Sequence, residues 1–335
     1  MKKYAVGILT LGLVACGSDD TEESPTPTET ATPAPEVIDL RMPLPAIPEG
    51  GIQFYTPDLI IPAGEDKQFC YVTTYTGPDV AINKAKHYQS EGGHHVILLG
   101  TALSQEQYPD GTVFDCTAAN AMADAEPIYV GGENIEGSYG EDTYFLEYPN
   151  AEMATKLNSG TRIFVQAHYI NTRSKPTLVR DVVNLELIPM DTVKEWVAPL
   201  SFVSVDFSIP ATSNYEVKVE CEWNDELPTR ILYLGGHLHE WGKYFYLDYI
   251  PAGATESERI YAVDEWLAEY RDRPIVNRYG KYYEEDDFVV QKGDRFITTC
   301  GWYNDTDRAL TFPNEMCATF GSYYSAKTPW ICVPN

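Results

Sequence analysis

From about residue 40 onward the apolar residues come in short runs separated by turn-formers. Phe69–Thr73, His94–Leu99, Thr161–Tyr169, Val182–Ile188, Glu216–Glu220, Arg230–His239, Tyr244–Tyr249, Asp294–Cys300 and Ala309–Phe312 are each rich in β-branched or aromatic side chains and bounded by Gly, Pro, Asn or Asp. Such residues fit a pleated, half-buried surface, so these runs predict strands. Many short strands with turns between them predict an all-β chain of sandwich or jelly-roll type. Ala254–Arg271 is the one candidate helix, and its apolar spacing is irregular. The Pro189–Pro199 segment near the midpoint is the best boundary, giving two tandem antiparallel β-sandwich domains over residues 45–192 and 193–335.

The first residues break this pattern. Lys2 and Lys3 form a positive start, Val6–Val14 a short apolar stretch, and Leu13-Val14-Ala15-Cys16 resembles the lipobox of bacterial lipoproteins. The stretch is too short to span a bilayer, and no later segment approaches 18 apolar residues. Residues 1–16 are therefore expected to be a lipoprotein signal, with Cys16 the lipidated residue and membrane anchor. Gly17–Glu36 carries six acids, no bases and much Thr, Pro and Ser. That composition buries no core, so residues 17–44 are expected to be a disordered tether. No Asp follows Cys16, which by resemblance to sorting rules points to the outer membrane of a bacterial envelope.

Charge and cysteines narrow the class. Fifty acidic residues against 24 basic ones give a formal net charge of −26. A field of that sign repels phosphate backbones and argues against nucleic acid as a partner. Apart from Cys16 there are six cysteines, Cys70, Cys116, Cys221, Cys300, Cys317 and Cys332. An even number in an exported chain favours disulfides, and spacing alone leaves all the pairings open. No C-x-x-C pair is present, which argues against a thiolate zinc site.

Five of the six histidines fall into three groups. His237-Leu238-His239 follows Gly235-Gly236 in a strand-like run, and residues i and i+2 of a strand share a face, so both imidazoles point the same way. His94 and His95 are adjacent and would face opposite sides unless the backbone bends. Gly92-Gly93 supplies the freedom for such a bend, as at a bulge. His168 ends the apolar run Ile163–Ala167, where a histidine taken singly is more often a core residue than a ligand. His87 lies in a polar stretch and reads as a surface residue, and Glu284–Asp287 reads as a solvated turn.

Taken together, His94-His95-Val96-Ile97-Leu98-Leu99, Gln166-Ala167-His168-Tyr169, His237-Leu238-His239-Glu240-Trp241-Gly242-Lys243 and Asn314-Glu315-Met316-Cys317 occur in the order and approximate spacing of one family. The chain resembles the copper type II, ascorbate-dependent monooxygenases, which include peptidylglycine α-hydroxylating and dopamine β-monooxygenases. The resemblance runs from about residue 45 to 335 and implies two coppers per chain. His94, His95 and His168 would hold one; His237, His239 and Met316 would hold the other and carry the catalysis. Three imidazoles suit an electron-passing copper, whereas a soft thioether favours Cu(I), the state that meets O₂. The resemblance also implies the disulfides Cys70–Cys116, Cys221–Cys332 and Cys300–Cys317, and a coupling role for Gln166. Two further bridges of the animal peptide-hydroxylating enzyme have no cysteines here.

The departures bear on substrate. Peptide-hydroxylating members carry an arginine two residues before the H-x-H, where this chain has Gly235. Their asparagine and tyrosine after the methionine correspond to Ala318 and Phe320. A peptide carboxylate would find no partner there. The expected activity is hydroxylation of a C–H bond in a small apolar or aromatic molecule, using O₂ and ascorbate or an equivalent reductant. The alternatives are a copper-handling lipoprotein without catalysis and a surface adhesion module. A zinc hydrolase is disfavoured, since only Glu240 stands beside the H-x-H as a base.

Overall fold

Alternating burial, not helical periodicity, organises the folded chain. In Ser213–Glu222, for example, Val219 and Cys221 are buried while Glu216, Lys218, Glu220 and Glu222 face solvent. The computed structural model describes residues 36–116, 125–131, 146–271, 275–312, 314–325 and 328–333. Cys16, the signal 1–16 and the tether as far as residue 35 lie outside the described residues.

The N-terminal half contains β1 (Ile38–Asp39), β2 (Ile52–Tyr55), β3 (Leu59–Ile61), β4 (Asp66–Thr74), β5 (Val80–Tyr88), β6 (Gly93–Gly100), β7 (Val113–Asp115), β8 (Glu126–Gly131), β9 (Leu146–Glu147), β10 (Met153–Leu157), β11 (Arg162–Ile170), β12 (Thr177–Val179) and β13 (Val182–Ile188). The C-terminal half contains β14 (Glu195–Ser204), β15 (Ser213–Glu222), β16 (Thr229–His237), β17 (Gly242–Ile250), β18 (Glu258–Val263), β19 (Val276–Arg278), β20 (Val289–Val290), β21 (Arg295–Asn304), β22 (Cys317–Tyr324) and β23 (Trp330–Cys332). The fold is all-β, as the pattern of short runs predicts. Among the described residues no helix is long and apolar enough to cross a membrane.

Each half is built on a pair of packed sheets, and the first half adds the small sheet β1-β12-β3. In the first, the five-stranded sheet β7-β4-β11-β6-β8 covers the strands β10-β5-β13-β2. Val96, Leu98, Ile163 and Val165 meet Ile82, Ala85, Val183 and Leu185 in a dry interior. In the second, the sheet β15-β21-β17-β18 packs on β19-β16-β22-β14. Phe245, Leu247, Phe296 and Trp302 there face Leu200, Phe202, Ile231 and Leu234. The halves share one sheet: β10 pairs in parallel with β14, Met153 opposite Glu195 and Ala154 opposite Trp196. Tyr148, Met153, Val197, Leu232 and Tyr324 bury this seam. Residues 36–335 accordingly form one compact unit, and the boundary expected at 192/193 falls at the end of the 3₁₀ turn Met190–Thr192.

Three disulfides are present: Cys70–Cys116, Cys221–Cys332 and Cys300–Cys317. These are the pairings that the family resemblance implies. The last two staple the two sheets of the C-terminal sandwich, β15 to β23 and β21 to β22.

Four expectations need correction. Ala254–Arg271 is not a helix: it holds β18, where Tyr261 and Val263 alternate inward, and a single 3₁₀ turn at Ala268–Arg271. Its irregular spacing was strand periodicity with an interruption. Ala309–Phe312 is not a strand, because only Leu310 bridges to Ile209 while its neighbours stay exposed. Ile38–Asp39, placed in the tether, pairs in parallel with β12, so the fold begins before residue 44. His87 is buried at 3% exposure, since it lies opposite Val183 in the ladder, while Lys86 and Tyr88 on either side of it are half-buried.

Candidate functional site

Gly92 takes φ +87° and sits where a Cβ would come within 3.3 Å of the Ile170 carbonyl. That conformation suits glycine. From this turn β6 runs antiparallel to β11, with His95 opposite His168 and then Gly93 opposite Tyr169. His94 is the extra residue of the resulting bulge, and the bulge brings His94 round to the face of His95. The histidines at 94, 95 and 168 therefore converge: each offers a ring nitrogen, and these atoms lie within 4.8 Å of one another. Among the described residues no other group of three His, Cys, Asp or Glu does so.

The Nδ1 spacing suits a metal, although the Arg271 guanidinium, which can only donate, takes His94 Nε2 as its acceptor and so leaves the proton of a neutral His94 ring on Nδ1. The Nδ1 of His95 lies 3.3 Å from that of His94 and 3.4 Å from that of His168. Tetrahedral ligands on a metal–nitrogen bond of about 2.0 Å are spaced by about 3.3 Å. The tautomer of His168 points the same way. Its Nε2 is 2.6 Å from Asp66 Oδ1, and that carboxylate accepts the Nε2 proton, leaving the Nδ1 lone pair aimed at His95. The hydrogen bond to His168 holds the Asp66 carboxyl below its usual range. Burial pushes the His95 imidazole well down, and the neighbouring His168, His94, His237 and His239 act in the same direction. The Nδ1 atoms of His95 and His168 thus stand at metal-ligand spacing.

Behind the bulge lies a buried polar network. Gln89 Nε2 donates to the His95 carbonyl at 2.9 Å and to Asp181 Oδ2 at 3.3 Å. The Tyr169 hydroxyl donates to Asp181 and accepts from the Ser90 N–H at 3.2 Å. With no cation against it, burial pushes the Asp181 carboxyl up to about 7. Gln166 is buried, not solvent-facing. Its Nε2 donates to Gln68 Oε1 at 2.9 Å, while its own Oε1 has no hydrogen-bond partner.

The second group stands at the end of β16. His237 lies opposite Ala318 in the β16–β22 ladder, which ends there; His239 follows two residues on, and Met316 immediately precedes β22. The His237 and His239 ring centroids are 5.0 Å apart. His239 Nδ1 lies 3.0 Å from the Asn314 carbonyl, which can only accept, so Nδ1 carries the proton and Nε2 is left as a ligand atom. Gly235 pairs with Phe320, and a Cβ on Gly235 would fall 2.6 Å from the Phe320 ring. An aromatic wall thus fills the position where the resembled peptide hydroxylases carry arginine, with Ala318 buried beside it. Glu240 is exposed on the adjoining loop. Glu284–Asp287 is an exposed turn, as expected, in which Asp287 meets Arg230.

Sequence reasoning missed three groups. Glu315, fully buried, accepts from the His239 N–H at 2.9 Å, the Trp241 N–H at 2.7 Å and the Trp302 indole at 2.9 Å. Burial pushes its carboxyl up to about 7. Its charge, next to Met316 and the buried Cys317 in the Asn314–Cys317 motif, was the available signal. Asp66 lies 102 residues from His168, and Arg271, which reaches from the C-terminal half to His94 Nε2, lies 177 residues away. Neither carries a local mark. A surface depression of about 650 Å³ beside Val276–Tyr279, Glu285 and Asp286 includes none of the histidines.

No family model and no curated protein matches the chain. Among solved structures, a protein of Eubacterium rectale described as secreted is 10% identical over 86% of this chain and 72% of that one, with a TM-score of 0.24. The VP2 subviral particle of infectious bursal disease virus is 8% identical over 82% of this chain and 71% of that one, also with a TM-score of 0.24. Scores of that size carry no argument about function.

Proposed function

We propose that this chain is a copper-dependent monooxygenase that hydroxylates a small apolar or aromatic molecule with O₂ and an ascorbate-like reductant. The observation that carries the reading is the convergence of the His94, His95 and His168 nitrogens at metal-ligand spacing. Support comes from a second donor set of different softness on the other sandwich: His237 and His239 stand at the end of β16, and Met316 directly precedes β22, which pairs with β16. The family resemblance rests on those motifs and on the three disulfides.

Bound copper would supply one-electron redox chemistry and O₂ activation. The chain's own residues do the rest. Asp66 and the Asn314 carbonyl fix the tautomers of His168 and His239. Phe320 over Gly235 presents an apolar wall that offers a carboxylate no partner. Gln166, two residues from His168 on the same strand face, offers its buried Oε1 toward that side. The disulfides fit an exported protein, and we propose anchoring to a bacterial outer membrane through Cys16.

The test is copper loading of the chain lacking its signal, followed by ascorbate-dependent O₂ uptake with a panel of aromatic and aliphatic compounds. Two coppers per chain and a hydroxylated product are expected; one copper or fewer would sink the two-site reading. Met316→His should keep copper while crippling O₂ consumption, and full turnover would make Met316 a packing residue. The Phe320 wall also favours a second reading, a copper-handling lipoprotein that kept both donor sets without catalysis. Tight copper binding with no product from any compound would select it.

A further inference from the structure

Glu315 sits between the two segments that supply the second donor set. Its Oε2 accepts from the His239 N–H and the Trp302 indole, both at 2.9 Å, and its Oε1 accepts from the Trp241 N–H at 2.7 Å. The Met316 backbone N–H also bonds to it. One carboxylate therefore stitches the loop bearing His239 to the segment bearing Met316, and the Trp266 indole holds the His239 carbonyl at 3.2 Å from the other side. Charge adds to geometry. Two neutral imidazoles and a thioether bring no charge of their own to a metal. The N–H donors around the Glu315 oxygens favour its ionised form, whose negative charge one residue from the thioether would offset part of a bound cation's charge. Glu315 is wholly buried and makes no salt bridge among the described residues, so no other cation there claims its charge. The Asp66 carboxylate beside the three-histidine group is different, with a side chain 63% exposed and screened by water.

We infer that Glu315 is the positioning residue of the His237/His239/Met316 group, setting its ligand spacing and adding a negative charge that strengthens its hold on a copper ion. The inference rests on the proposed function for its metal. Glu315→Gln keeps the shape, removes the charge and turns an amide N–H₂ toward a backbone donor. In the copper-loaded full chain this variant should keep the three-histidine copper unchanged. Cuprous ion at the second group, titrated against a competing chelator, should loosen about 10–100-fold. Its reduction potential should rise, because a lost negative charge costs Cu(II) more than Cu(I), and copper–sulfur scattering in X-ray absorption should weaken. A purely structural role would not move one site's potential in that sense. Trp302→Phe removes one donor and leaves the carboxylate. It should give a smaller loosening without the rise in potential, and it decides the matter if Glu315→Gln fails to fold. A wild-type chain with two coppers and both variants unchanged overturns this inference alone; a wild-type chain holding no copper at this group overturns the proposed function with it.

Discussion

Asp66 and Asp181 flank the His168–Tyr169 pair and do opposite things. Asp66, at the strand edge, gains a proton donor and is held anionic; Asp181, sealed behind the sheet, is pushed toward its neutral form. Replacing Asp66 with Ala should leave the fold intact and weaken metal retention at the three-histidine group about 10–100-fold, read by copper content after dialysis. Asp181 instead governs stability against pH. Its folded pKa, about 7, lies above its ordinary 3.8, so between those values the folded chain binds the extra proton. Stability from this group is therefore present at low pH and lost as pH rises toward 7. The melting temperature of Asp181→Asn should exceed that of the wild type at pH 8, with the gap closing toward pH 5. Equal melting curves at pH 8 would show that Asp181 is not destabilised there. At this scale the clustering of His94, His95 and His168 was legible, because three histidines sat in motifs whose order resembles a metal-binding family. Their supports were not. Asp66, Glu315 and Arg271 meet their partners through sheet pairing and half-to-half packing across long sequence separations, for which a linear pattern carries no trace.

Strands whose polar residues alternate cleanly with apolar ones, such as Glu216–Glu220, were readable; strands with an interrupted pattern were harder to read. β5 escaped notice because Asn83, Lys84, Lys86 and His87 interrupt its apolar positions, and Asn83 is instead tied to the Met153 carbonyl at 2.7 Å. β22 escaped because Gly321 and Ser322 sit where the strand packs closest, a Cβ on Gly321 falling 2.3 Å from the Tyr233 carbonyl. The bulge at His94 was readable, since two adjacent histidines and two preceding glycines admit few other ways to share a face. Gly92→Val, a β-branched residue at positive φ, should cost about 1–3 kcal/mol in denaturant unfolding and loosen metal at the three-histidine group. Loss of stability with metal retention untouched would separate the bulge from the site. The Cys300–Cys317 bridge closes a sequence separation of 17 residues and abuts Met316. The double Ser variant should lose about 3 kcal/mol and release copper from the second group first. Simultaneous loss from both groups would mean that the bridge supports the fold as a whole.

At the scale of the molecule the unexpected element was β14. The proline-bounded segment from which a domain boundary was read becomes a ten-residue strand that carries the sheet from one half into the other. Turn-formers near a midpoint mark a chain crossing, and they do not say whether hydrogen bonding resumes beyond it. Arg271 adds a second tie, since its guanidinium contacts His94 from the opposite half. The continuity through β10 and β14 has a mechanical meaning. A sheet resists shear along its hydrogen bonds far more than two bodies on a hinge would, so the gap between the histidine groups is a built-in span and not a jaw that opens and shuts. Under the proposed function, an electron passing between those groups would cross a fixed distance set when the chain folds.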